Sequence, residues 1–91
     1  MQTQAEAAVI ELPKAMNLTA AAPLAERLLG LQGAPVVLDA SRVERLGGLC
    51  LQVLLSASLT WASAGVSFVI ANPSPGFREA WTLFAAPPLA A

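Results

Sequence analysis

The sequence predicts a single α/β domain built on a small, mostly parallel sheet. Three observations carry that reading. Short apolar runs at residues 8–12, 36–38 and 66–71 alternate with segments of helical periodicity. Strands separated by helices need crossover connections, and right-handed crossovers place successive strands parallel. The 91 residues contain neither a repeat nor a linker, so one domain with a small core is expected over 1–91.

Each element has its own local cause. Residues 8–12 (AVIEL) form a short apolar run stopped by Pro13, which reads as the first strand. Residues 14–16 can add a short return strand. A first helix follows, with Thr19 as its cap and Pro23 placed in its first turn, where a missing N–H costs nothing. Leu24, Leu28 and Leu31 recur at i, i+4 and i+7 as its apolar stripe, Glu26 and Arg27 face outward, and Gly33 lies beyond its end. Val36, Val37 and Leu38 form an uninterrupted run, as a strand buried on both faces would.

A second helix is expected from about Gly48 to Ala64, closed by Gly65. Residues 66–71 (VSFVIA) read as another central strand. Asn72-Pro73-Ser74-Pro75 then turns the chain into a third helix, with Ser74 as cap and Pro75 at its first position. Phe77, Trp81 and Phe84 repeat at i, i+4 and i+7 and should pin that helix to the body. Residues 1–6 and 86–91 read as loose tails.

Composition removes several classes of function. Histidine is absent and Cys50 is the only cysteine, which excludes disulfides within the chain, Cys/His zinc sites and His-dependent nucleophile arrangements. No catalytic, cofactor-binding or metal-binding residue is therefore expected. The net charge of −1 has no basic run behind it, so the electrostatic footprint of a nucleic-acid binder is missing. Residues 46–64 are about long enough to cross a bilayer, but Gln52, Ser56, Ser58, Thr60 and Ser63 interrupt them. A soluble helix without membrane insertion is the reading that fits. The start MQTQAEAA has neither the basic residues nor the long apolar run of an export signal, and the expected location is the cytoplasm.

The densest information lies in residues 36–55, VVLDASRVERLGGLCLQVLL. An apolar strand ends in Asp39, a seven-residue polar turn follows, and Gly47-Gly48 opens an apolar helix whose first amides no side chain flanks. This pattern resembles the signature of STAS domains, the fold of bacterial anti-sigma-factor antagonists: Asp-x-Ser, a short linker, then Asp-Ser-Ser-Gly-Leu. Asp39 and Ser41 match the first part and Leu51 the final leucine, with Val43, Leu46 and Leu54 in supporting places. Gly47 stands where the family has its second Asp. Gly48 stands where regulatory members have the serine that a partner kinase phosphorylates, so no phosphoacceptor is expected.

The resemblance runs through NPSPGFREAW and is nearest to small STAS proteins encoded beside bacterial chemotaxis genes. It implies about four strands, with three helices packed mainly on one face of the sheet. It also implies an interaction module of bacterial signal transduction, with a kinase, an anti-sigma factor or a chemotaxis component as protein partner. The alternative it leaves open is a structural STAS subunit of a phospholipid-transport ABC complex, although members of that kind usually carry Thr at the phosphoacceptor place.

The second helix is the candidate working surface. Gln52, Ser56, Thr60 and Ser63 fall on one narrow stripe, bordered by Leu49, Val53 and Leu59, while Leu51, Leu54, Leu55 and Ala62 should face the sheet. No charge occurs between Arg45 and Arg78, and charge-depleted surface suits the centre of an interface. The candidate partner-binding residues are Arg45, Gly47, Gly48, Leu49, Gln52, Ser56, Leu59 and Thr60. A homodimer through the same uncharged helix is a second arrangement the sequence allows.

The remaining residues have structural readings. Asp39 and Ser41 should bond within the turn, while Arg42, Glu44 and Arg45 are solvated charges able to steer a partner. Cys50 reads as a small buried hydrophobe despite its place at a helix start. Trp61 reads as the edge of the docking face and Trp81 as core.

Overall fold

The computed structural model describes residues 7–83. Eight elements follow in chain order: β1 (Ala8–Glu11), β2 (Ala15–Met16), α1 (Leu18–Leu29), β3 (Val36–Asp39), β4 (Arg45–Leu46), α2 (Gly48–Ala64), β5 (Phe68–Ala71) and α3 (Pro75–Leu83). Strands β1, β3 and β5 form a parallel sheet in that order, in the register Val9–Val37–Val69. β2 and β4 form a second, two-stranded parallel sheet.

The expected parallel sheet and three helices are present, with three differences of detail. The residue 14–16 strand does not return along β1; its two residues pair with β4, which lies inside the turn read as wholly polar. A two-residue strand leaves no periodicity to detect, and its partner is chosen by the fold. The third apolar run begins its strand at Phe68, not Val66, and stands at a sheet edge where a central place was expected. The run Val36–Leu38 is buried on one face only: Val36 and Leu38 are fully enclosed, while Val37 is half-buried between the more exposed Val9 and Val69.

Alternation along the strands explains that asymmetry. Ile10, Val36 and Leu38 point to one face and join Leu24, Leu28, Leu51, Leu54 and Trp61 of α1 and α2 in the core. Each such side chain contributes roughly 1.5–3 kcal/mol by leaving water, which is what holds two short helices on a three-stranded sheet. Leu55 is half-buried, whereas Ala62, expected to face the sheet, is exposed. A methyl group gains little from burial, so the helix rotates to enclose Trp61 instead.

Helix α1 is capped by Asn17, not by Thr19. The Asn17 Oδ1 accepts from the Thr19 and Ala20 amides at 3.1 and 3.3 Å and from the Thr19 hydroxyl at 2.7 Å. The helix therefore starts at Leu18, which puts Pro23 in the second turn and costs it one intrahelical bond. Thr19 and Pro23 are both exposed, so water takes over the freed carbonyl. α2 ends as expected at Gly65, whose φ of 71° lets the amides of Gly65 and Val66 reach the carbonyls of Ala62 and Trp61.

α3 closes the far end of the core. Ser74 caps it, accepting the Phe77 amide at 3.1 Å, and the rings of Phe77 and Trp81 stack at 5.7 Å with both side chains buried. Phe84, the third residue of that expected stripe, and the expected tails at 1–6 and 86–91 lie outside the described residues.

Gly76 is required by this docking. A Cβ there would lie 2.6 Å from the carbonyl oxygen of Glu44, a backbone atom that cannot swing aside. Replacing Gly76 by Ala should therefore lower stability by about 1–3 kcal/mol, the usual cost of overpacking. Urea unfolding of the variant beside the wild type measures it, and unchanged stability would mean the approach of α3 is looser than drawn.

Candidate functional site

The turn between β3 and α2 is bonded from three sides. Within it, the Ser41 amide donates to Asp39 Oδ1 at 3.0 Å, and the Val43 amide to the Ala40 carbonyl at 3.3 Å. From the β1–β2 side, the Lys14 carbonyl accepts the amides of Glu44 and Arg45, and the Met16 carbonyl accepts that of Gly47. From the α3 side, the Ser74 amide donates to the Ala40 carbonyl at 3.2 Å, and the Ser74 hydroxyl donates to the Val43 carbonyl. Asp39 and Ser41 thus hold the turn, as their types and spacing implied.

The Asp39 carboxyl is held below its ordinary value of 3.8. The main cause is the Ser41 backbone amide, followed by the Ser41 side chain; desolvation opposes them, and Arg42 and then Asn72 add to the lowering. Arg42, Glu44 and Arg45 are exposed beside it.

Gly47 precedes α2 with extended backbone and supplies no capping side chain. Cys50 turns inward: the residue is 1% exposed, and its thiol donates to the Asn17 carbonyl at 3.3 Å and is pushed above its ordinary pKa by burial. Burial here outweighs the helix dipole, and the thiol is a core group.

On the outer side of α2, Gln52, Ser56, Thr60 and Ser63 are exposed, Leu49 and Leu59 are 47% and 70% exposed, and Val53 is half-buried. The Thr60 hydroxyl donates to the Ser56 carbonyl at 3.1 Å, which folds its polarity back onto the helix. Leu49, Gln52, Ser56 and Thr60 also form one wall of a groove of about 410 Å³ between α2 and α1. The other wall is Ala25, Leu28, Leu29 and Gln32, with Val53, Ala57 and Trp61 between them. No charged side chain lines it.

The candidate residues divide into groups. Leu49, Gln52, Ser56 and Thr60 share the groove, and Leu59 stands outside its lining. Arg45, Gly47 and Gly48 sit before or at the first turn of α2 and do not line the groove. Trp61 is buried at the groove wall, with its indole N–H donating to the Ala34 carbonyl at 2.7 Å. The α1 wall escaped sequence reasoning. Its one signal was Leu29, an apolar residue off the core stripe of its helix and 65% exposed.

Among the described residues, no group of three or more His, Cys, Asp or Glu side chains could hold a metal ion, and no helix is long and apolar enough to cross a membrane. The family model described as "Mlab, STAS domain" matches residues 1–86. The chain belongs to the STAS domain family. No curated protein and no solved structure matches it. Membership accounts for the Asp39–Leu51 pattern and for a small sheet covered by helices, and it makes this STAS chain one of a family of binding modules.

The Asp39 bond to the turn gives a pH signature. A carboxyl whose pKa is lowered by folding stabilises the native state above its ordinary value, and the contribution is lost as pH falls through the lowered one. The stability difference between wild type and an Asp39→Asn variant should be widest above about pH 4 and shrink in acid. Urea midpoints compared from pH 2 to 7, on the order of one per unit, would show it; a difference independent of pH would mean the carboxylate charge has no part in holding the turn.

Proposed function

We propose that this STAS domain is a non-enzymatic interaction module of bacterial signal transduction, of the chemotaxis or anti-sigma-antagonist type, acting in the cytoplasm. The observation that carries the reading is the outer face of α2. Leu49 and Leu59 are exposed there beside Gln52, Ser56 and Thr60, with an uncharged groove alongside. A freely solvated helix has no reason to avoid charge over its full length, whereas the centre of an interface does. The mechanism is mass action: binding one state of a kinase, anti-sigma factor or chemotaxis component shifts that partner's equilibrium toward the bound state.

Regulation by phosphate at the family position is absent from this proposal, because Gly48 has no hydroxyl. The module then docks constitutively, and its control lies in the abundance or state of the partner. A structural subunit of a phospholipid-transport complex is the second reading. The 70% exposure of Leu59 favours it, since permanent interfaces are the more apolar class. Isolation of the native assembly separates the two: a stoichiometric complex that survives purification supports the subunit, and transient capture supports the signalling module.

Two substitutions test the face. Ser56→Lys should change stability by no more than about 0.5 kcal/mol, as exposed positions usually do. The same change should weaken a complex that buries it by ~3 kcal/mol, which is about 150-fold in Kd. Thermal melting and a titration against the isolated partner read both quantities, and full-strength binding by a stable variant would place the contact elsewhere.

Gly48→Asp puts a negative charge at the helix start, worth ~0.3–1 kcal/mol in favour of folding. Gly48 is not among the glycines with positive φ, so the backbone accepts the side chain. Partner binding should fall as it would on phosphorylation. Unaltered binding would remove the α2 start from the contact surface.

A further inference from the structure

The outer face of α2 is matched to a second copy of itself. Paired antiparallel about Ser56, each residue number and its opposite number add to twice that of Ser56. Leu49 then meets Ser63, a large side chain against a small one, and Val53 meets Leu59, apolar against apolar. Gln52 meets Thr60, whose hydroxyl hydrogen goes to the Ser56 carbonyl and leaves the oxygen free to accept from an amide. Ser56 meets Ser56 at the crossing point, where two small residues allow close approach. Leu49, Gln52, Ser56, Leu59 and Ser63 are also spaced three and four apart, the interval of a helix-pairing seam.

Electrostatics favours the same occupant. A two-fold axis sets any charge close to it beside its own copy, and this face carries none to repel. α2 has no acidic residue in its first turn and no basic residue in its last, so neither end of its dipole is compensated by a side chain. Antiparallel pairing sets each positive end beside the partner's negative end.

We infer that this protein forms a homodimer through α2, antiparallel about a two-fold axis at Ser56. It rests on the reading of α2 as a docking face and adds that the face covers itself when no other partner is bound. A helix of 17 residues is about 25 Å long. One such pair buries less than the ~800 Å² per partner of a standard interface, so the dimer exchanges with monomer in the micromolar range. A signalling partner then competes with the second copy, and dimerisation sets the concentration at which free docking face becomes available.

Sedimentation equilibrium of the full chain from about 1 to 500 µM tests the association. The wild type should pass from monomer to dimer within that range, and Ser56→Lys should raise the dissociation constant about a hundredfold with an unchanged melt. Oxidative cross-linking tests the geometry. A Ser56→Cys variant should link to its copy, because the two positions meet on the axis. A Ser63→Cys variant should not, since antiparallel copies hold those residues about 20 Å apart along the helix, beyond the ~7 Å reach of a disulfide. The wild type, with only the buried Cys50, is the control.

A monomer throughout the range, or Ser63→Cys linking as well as Ser56→Cys, overturns the inference. The docking reading fails on a different result: a foreign partner that binds Ser56→Lys at full strength. A monomeric wild type that loses its foreign partner on the same change would refute the dimer and leave docking standing.

Discussion

Everything at the working end of this molecule depends on the close approach of α3 to the backbone of Val43 and Glu44. Only a glycine at position 76 lets the helix come so near, and the Ser74 side chain joins the Phe77 amide to the Val43 carbonyl across the contact. A turn of this length would otherwise pay a substantial entropy to hold one shape. Here the turn is bonded by Asp39 from within, by the carbonyls of Lys14 and Met16 from one side and by Ser74 from the other. The start of α2 is therefore a fixed point of the fold, and the face that α2 presents to solvent is fixed with it.

The second constraint is the scarcity of charge. Only 12% of the residues are charged, and none lies between Arg45 and Arg78. The core takes the residues that most need burial, Trp61, Phe77, Trp81, Leu24, Leu28, Leu51 and Leu54. What is left over stays in water: Val9 and Val69 on the outer face of the sheet, Leu18 and Leu29 on α1, Leu49 and Leu59 on α2, and Leu83 at the end of α3. A small domain has too little interior to hide all its apolar side chains, so where it leaves them is informative. In this chain Leu29 and Leu49 face each other across the uncharged groove between α1 and α2.

Loss of the phosphoacceptor fits that arrangement. A phosphate at the start of α2 would act as a charge switch on a docking face, gained or lost with the kinase. Glycine at position 48 offers no hydroxyl for such a switch. The inward turn of the Cys50 thiol removes the other reactive group at that helix start. The chemistry of the site is thereby reduced to packing.

The sequence by itself determined the order of strands and helices, the bounds of α2, the caps at Ser74 and Gly65, and the exposure of Gln52, Ser56, Thr60 and their flanking leucines. All of these rest on local causes: periodicity, capping chemistry and the conformational freedom of glycine, which act within one or two turns of chain. Only the tertiary structure decided that Asn17 and not Thr19 starts α1, that β4 exists, that β5 lies at an edge, and that Leu28, Leu29 and Gln32 complete the groove. Those features depend on which segments meet. β2 and β4 are two residues each and carry no pattern of their own; they become strands because the carbonyls of Lys14 and Met16 find the amides of Glu44, Arg45 and Gly47, far along the chain. The groove likewise belongs to neither helix alone, and arises because the stripes of α1 and α2 share one core while their outer edges stand apart.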